Sequence, residues 1–389
     1  MKVLPELIAQ RMCALTKAAL HGTMPDENLF FHTTENDWND LFEQSAIQGV
    51  MVLTLNGAMK LPKVRQPPLP VKLRWIASVE KVEKRYRRQL ETARQLDAFF
   101  RANNIRMLLF KGVSLARLYP EPYSREFGDI DIFLCGKSKE GDVLLKRIAG
   151  NNMILSKKHS CWLFRGISVE NHHTFLNHSS FLNFYNSRVL EKRLMTILTE
   201  AGVIEEMNLS EPDKTDESRL ADKILLPDEA LLSPPPEFDA LFVLLHILSH
   251  VPAKIALRHL CDLTVLFTAY KGAIDFSAYR TILSEAGLLK TADVLFSLSV
   301  KYLGLNPAFI PPYESDLALE KRIWIDLLNP VFPPPEGKRT IGSVIRYKIR
   351  LLRLNRWKYD LVFPGKYWKR ILYSTFSHLI HPASIRRLT

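Results

Sequence analysis

Two aspartates one residue apart, Asp129 and Asp131, are the side chains best suited to chemistry in this chain of 389 residues. They lie in GDIDIFLC (128–135), where acid and apolar residues alternate with the two-residue period of a strand, so both carboxylates project from one face. Paired carboxylate oxygens bind hard divalent cations, and Mg²⁺ commonly takes one or two carboxylates together with substrate phosphates. Upstream, IRMLLFK (105–111) reads as a buried strand that runs into Gly112, where the pattern turns helical. Glycine lets a backbone approach a ligand closely, and free amides at a helix start bind phosphate. Ser114 adds a hydroxyl, and Lys111 and Arg125 add positive charge. Downstream, ISVENHHTF (167–175) reads as another strand, with Ser168, Glu170, His172 and Thr174 on one face. Glu170 is the candidate third acid, either as a metal ligand or as a base for an attacking group; the alternative is a surface acid at a sheet edge.

A phosphate cradle followed by paired acids is the minimum equipment for nucleotidyl transfer. The segment resembles the polymerase β superfamily of nucleotidyltransferases, and within it a bacterial family usually described as uncharacterised nucleotidyltransferases, with a pattern like KGxxLAxxYPxPxxRxxxDIDxLV. The matching residues are Lys111, Gly112, Leu115, Ala116, Tyr119, Pro120, Pro122, Arg125, Asp129, Ile130, Asp131 and Leu134. A similar glycine turn, arginine and DID order occurs in nucleotidyltransferase toxins of abortive-infection systems. Many members of the superfamily place Gly and Ser side by side at the turn, whereas Val113 separates Gly112 from Ser114 here. The resemblance implies two Mg²⁺ ions held by Asp129, Asp131 and Glu170, and a nucleoside triphosphate, ATP among the candidates, as substrate. It implies in-line displacement at the α-phosphate, with an acceptor that the residues do not identify.

The elements that must position these residues form an α+β arrangement: a small mixed sheet with flanking helices, set between N-terminal helices and a C-terminal helical domain. The boundaries expected are 1–104 for the helical region, 105–233 for the nucleotidyltransferase core, 234–337 for the helical domain and 338–389 for a basic, aromatic-rich segment. Helical spacing runs from Trp38 to Met59 and again, roughly, from Trp75 to Asn103. Further helices are expected over 137–149, 238–250, 257–269, 276–286 and 291–302, and strands near 161–164 and 167–175. PPPEF (234–238) and VFPPPEG (331–337) read as linkers or turns. In 241–267, His246 and His250 share a helix face, as do Arg258 and Asp262 on the next helix. They could line an acceptor pocket or take a metal; the favoured reading is a buried polar network locking two helices, with Asp262 paired to Arg258 or a histidine.

The charge is concentrated at one end. From Lys338 onward there are thirteen Lys or Arg and one acid, Asp360, while the preceding residues hold forty bases and forty acids. In that segment Arg346, Lys348, Arg350, Arg353, Arg356, Lys358, Lys366, Lys369 and Arg370 are interleaved with Tyr347, Trp357, Tyr359, Phe363, Tyr367, Trp368 and Tyr373. Packing of the aromatic side on the body is the first reading, an anionic membrane surface the second and nucleic acid the third. If the fold had lost its chemistry, such a segment would make the chain a binding module instead of an enzyme. The four cysteines, Cys13, Cys135, Cys161 and Cys261, show no CxxC spacing, so the expected setting is cytoplasmic, at most peripheral to a membrane. Glu6 and Arg11 break any secretory h-region, and there is no run of eighteen apolar residues. Oligomeric state is not legible.

Overall fold

The computed structural model describes residues 4–150, 153–155, 158–176, 187–204, 231–329, 341–363, 365 and 368. It is an α+β fold in which one five-stranded sheet is embedded among helices. The chain opens with α1 (Glu6–His21), α2 (Glu35–Ile47), α3 (Met51–Ala58) and the long α4 (Leu69–Ala102). The stretch Trp38–Met59 reads as one helical run, but it divides at Gly49, whose φ of 66° is left-handed and ends α2. Thr34 starts α2 with a capping box, its Oγ1 accepting from the Asp37 amide while the Asp37 carboxylate accepts from Thr34 N–H. Helix α4 begins before Trp75 because Pro70 falls in the first turn, where a missing amide hydrogen costs nothing.

The sheet contains β1 (Leu108–Phe110), β2 (Asp129–Phe133), β3 (Ile154–Leu155), β4 (His159–Phe164) and β5 (Ile167–His172), in spatial order β1-β2-β5-β4-β3. Among these five strands β2 and β5 pair in parallel and the other neighbours antiparallel. Two short elements intervene in sequence: α5 (Gly112–Ala116) between β1 and β2, and α6 (Ser138–Ala149) between β2 and β3. β4 and β5 form a hairpin through Arg165 and Gly166, both at positive φ (51° and 76°), the turn whose twist matches paired strands. Leu232 accepts from the Leu109 amide and extends the sheet beside β1.

Strand alternation divides the core. Leu109, Ile130, Ile132, Trp162 and Val169 pack with Ala93, Leu96 and Phe100 of α4 and with Leu145 of α6. Leu108, Phe110 and Phe133 face the other way, into a larger cluster containing Phe175 and Phe238 and Phe242 of α8. The remaining helices are α7 (Ser187–Glu200), α8 (Pro236–His250), α9 (Leu257–Ala269), α10 (Phe276–Glu285), α11 (Leu289–Leu303), α12 (Leu317–Leu328) and α13 (Ile341–Val362). The same large cluster takes in α1 and α3, so the first and last thirds of the chain share one core. No helix among the described residues is long and apolar enough to cross a membrane.

The basic segment is described only in part, and Lys366, Lys369, Arg370 and the linker 331–337 lie outside the described residues. Within α13, Asn355, Lys358, Tyr359 and Val362 are buried. Lys358 donates to both oxygens of Asp326 at 2.8 and 3.0 Å, and the Arg322 guanidinium lies 4.0 Å from the Trp357 ring. This half of the helix is packed on the body, whereas Arg346, Arg350, Arg353 and Arg356 are exposed.

Candidate active site

The register of the sheet assembles the site. Asp131 pairs directly with Glu170 across the parallel β2–β5 ladder, and Asp129 pairs with Ser168. On the antiparallel side His172 pairs with His159, and Glu170 with Cys161. Period two therefore puts Asp129, Asp131, Glu170, His172 and His159 on one sheet face, the face that carries Phe110 and looks toward α8. Ligand atoms of Asp129, Asp131 and Glu170 lie within 4.8 Å of one another. Gln89 of α4 fixes the entry to β2 by donating to the carbonyls of Phe127 and Gly128, at 3.4 and 3.1 Å.

Three like charges so close are costly without a counter-ion. Burial, with Asp131 and Glu170 alongside, pushes the Asp129 carboxyl up to about 6. Asp131 is buried as well, yet it is held far below the usual carboxylate range. Lys111 Nζ donates to its Oδ1 at 2.5 Å, and His172 Nε2 lies 2.8 Å from the same oxygen. Burial is the largest influence on Glu170 and raises it, but the His172 contact and the charges of His159 and His172 together leave the group lowered. The all-oxygen donor set and its crowding fit a hard divalent cation such as Mg²⁺.

Lys111 is held in an uncommon conformation. It joins β1 to α5 at φ 53° and ψ −121°, a region that side chains avoid, and its ammonium is returned over the Phe110 and Phe242 rings to Asp131. Gly112 follows for a local steric reason. A Cβ there would meet the Phe127 ring at 3.0 Å and the Asp129 carbonyl oxygen at 3.2 Å, so glycine lets the turn close onto β2. Ser114 is buried, and its Oγ has no hydrogen-bond partner among the described residues.

Arg125 is not directed at open space. Its Nε and Nη2 grip both oxygens of Asp262 on α9 at 2.8 and 3.0 Å, its Nη1 reaches the Gly112 carbonyl at 3.3 Å, and Tyr119 Oη donates to Asp262 at 2.6 Å. The expected partners of Asp262, Arg258 or a histidine, are replaced by these two residues from the α5–β2 connection. Arg258 instead lines a cleft of about 330 Å³ with Arg85, Glu126, Gly128, Lys254 and His259, one residue from Asp129. Its backbone amide donates to Gln48 at the end of α2.

His246, His250 and His259 form a row of rings, with centroids 4.6 and 5.8 Å apart. Burial drives all three downward, His250 to about 4 and the others well below the ordinary range. His259 Nδ1 accepts from the Ala256 amide at the start of α9. His246 and His250 stay partly exposed, and the charges of Lys111 and Lys158, which flank the carboxylates, lower both further.

Two neighbours of the carboxylates were not foreseen from the sequence, Lys158 and His159. Burial, with Lys111 nearby, pushes the Lys158 ammonium down to about 8. His159 Nδ1 is 3.3 Å from Glu170 Oε2. The alternation His159–Cys161 on a strand, together with the Arg165–Gly166 turn that sets the register, was the available signal.

A family profile described as an uncharacterised nucleotidyltransferase matches residues 34–304. The match spans α2 to α11, both sides of the site included. No curated protein and no solved structure matches the chain.

Proposed function

This chain belongs to that uncharacterised nucleotidyltransferase family, and from this premise we propose that it moves a nucleoside monophosphate from a triphosphate to an acceptor hydroxyl. The observation that carries the reading is the convergence of Asp129, Asp131 and Glu170 within 4.8 Å on one sheet face, beside the Lys111 turn. In this reading the three carboxylates hold two Mg²⁺ ions. Bound there, Mg²⁺ supplies positive charge to the triphosphate oxygens and lowers the pKa of the acceptor hydroxyl.

The chain's own residues do the rest. Asp129 and Asp131 project from a strand fixed at its entry by Gln89, so their spacing is preset. Lys111 neutralises Asp131, and it would be free to lend its charge to a triphosphate where a cation took its place at that carboxylate. The unpartnered Ser114 hydroxyl gains an acceptor in a phosphate oxygen. Arg125 acts as a positioning residue, tying the Gly112 turn to Asp262 on α9. The acceptor oxygen bonds to the α-phosphorus, the bond from that phosphorus to the bridging oxygen breaks, and pyrophosphate leaves with the electron pair. The hydroxyl proton passes to solvent.

Each α-labelled triphosphate, incubated with Mg²⁺, the protein and a cell extract, tests this directly. Label transferred to an acceptor with release of pyrophosphate, and lost in Asp129→Asn, is the expected result. Transfer of a γ-label with release of a diphosphate would make the protein a phosphotransferase instead. No Mg²⁺-dependent triphosphate binding in the intact chain would remove the proposal.

A further inference from the structure

Beside the three carboxylates lies a second donor group, of different chemistry. His159, Glu170 and His172 each bring one ligand atom to within 4.8 Å of the others. The hairpin register makes this geometry durable: His159 and His172 are direct cross-strand partners, and Glu170 is two residues before His172 on the same face.

Two details go beyond proximity. Glu170 Oε2 is 3.3 Å from His159 Nδ1 and 3.4 Å from His172 Nε2. An ion about 2.1 Å from each ligand sets neighbouring ligand atoms roughly 3.0 Å apart at octahedral angles and roughly 3.4 Å apart at tetrahedral ones. Both distances therefore fit edges of a coordination polyhedron. The second detail is the far side of the His172 ring, where Nδ1 faces the Thr174 carbonyl at 3.3 Å. A metal-bound imidazole commonly donates its other N–H to such a carbonyl, which fixes the tautomer. On its other side Nε2 lies 3.4 Å from Glu170 Oε2 and 2.8 Å from Asp131 Oδ1, the oxygen to which Lys111 donates. His172 is fully buried, while the side chains of His159 and Glu170 retain 23% and 19% exposure, which leaves an approach for an ion and its remaining ligands.

We propose that His159, Glu170 and His172 form a site for a borderline divalent transition cation of the Zn²⁺, Co²⁺ or Ni²⁺ class, distinct in selectivity from the all-oxygen group of Asp129 and Asp131. Imidazole nitrogen favours such ions over Mg²⁺, which demands oxygen ligands. Glu170 joins the two groups, as a carboxylate with two oxygens does between paired ions. The site stands on these three side chains and does not depend on nucleotidyl transfer being the reaction.

The test is titration of the EDTA-stripped, full-length chain with CoCl₂, read by visible absorption and by metal content after dialysis. One Co²⁺ per chain, with visible bands of imidazole ligation, is expected to persist in excess Mg²⁺ and in Asp129→Asn. His159→Ala and His159→Gln are expected to weaken binding at least about 100-fold, a larger loss than removing an outer-shell partner. Their thermal unfolding in EDTA should match the parent, since His159 is partly exposed. No stoichiometric Co²⁺, unchanged binding in both His159 variants, or loss in Asp129→Asn would each overturn the site. Mg²⁺-dependent triphosphate binding measured on the same samples reports on the carboxylate proposal separately, so either can fail while the other stands.

Discussion

Two ionisable groups, one on the sheet and one joining the α5–β2 connection to α9, are built on opposite principles. Around Asp262 every charge is answered: Arg125 grips both oxygens, Tyr119 donates a third hydrogen bond, and all three side chains are withdrawn from water or nearly so. Around Asp129 the charges accumulate, with Asp131 and Glu170 raising its carboxyl further after burial has done so. Residue types alone do not separate the two groups, since both contain a basic residue and buried aspartate. What separates them is satisfaction. A network whose donors and acceptors match fixes a connection in place, whereas a cluster that crowds like charges, even with Lys111 answering one of them, stores a demand that an added cation meets.

The sharpest way to break this comparison is to remove one member of each group. Asp262→Ala leaves Arg125 buried without its carboxylate and is expected to destabilise the fold by about 3–5 kcal/mol, measured by chemical unfolding. A loss below about 1 kcal/mol would mean that the network is not a structural lock. Asp129→Asn should do the reverse. Relief of like-charge crowding leaves the melting temperature equal or higher, while Mg²⁺-dependent nucleotide transfer falls at least about 100-fold, near 2.7 kcal/mol of barrier. Should Asp129→Asn unfold the protein, the carboxylates would belong with the scaffold.

The same contrast marks what could be read in the sequence. GDID was legible because strand periodicity states directly which carboxylates share a face, and Asp129 and Asp131 stand on the predicted strand. The turn at Lys111–Gly112 and helix α9 over Leu257–Ala269 were legible for similar local reasons. The Arg125–Asp262 pair was not, since 137 residues separate its members and local spacing favoured Arg258, four positions away. His159 escaped for a related reason. Its place beside Glu170 follows from the register that the Arg165–Gly166 turn imposes, and one residue of slip would send it to the opposite face. Gly112 was legible as a required glycine, but the close approach that requires it is to Phe127 and the Asp129 carbonyl, atoms brought there by the tertiary fold.

Smaller effects sharpen the comparison through pH. Asp239 of α8 is fully buried, and burial pushes its carboxyl up to about 7 although Tyr270 Oη donates to it at 3.2 Å. Its folded pKa exceeds the unfolded value near 3.9, so the unfolded chain releases the proton first and stability falls as pH rises between the two. Asp239→Asn should abolish this slope, gaining about 2 kcal/mol on the parent between about pH 5 and pH 7. Thermal melts at a series of pH values measure it, and a constant difference between variant and parent would show that Asp239 is ionised in the fold.

At neutral pH the smallest change is expected at the histidine row, where the sign of the pH dependence reverses. Burial holds His250 near 4, below the unfolded value of about 6.5, so the unfolded chain takes up a proton first as pH falls and the fold loses stability across that window. His250→Phe preserves a ring beside His246 and removes the titration. The variant should match the parent within about 1 kcal/mol at neutral pH and gain on it as pH drops from about 6.5 toward 4. It should also bind Co²⁺ as the parent does, since neither ligand group of the sheet includes it. If cobalt binding instead vanished with His250→Phe and survived His159→Ala, the ion would sit among the helices, and the assignment of packed rings to α8–α9 and ligating rings to the sheet would have to be exchanged.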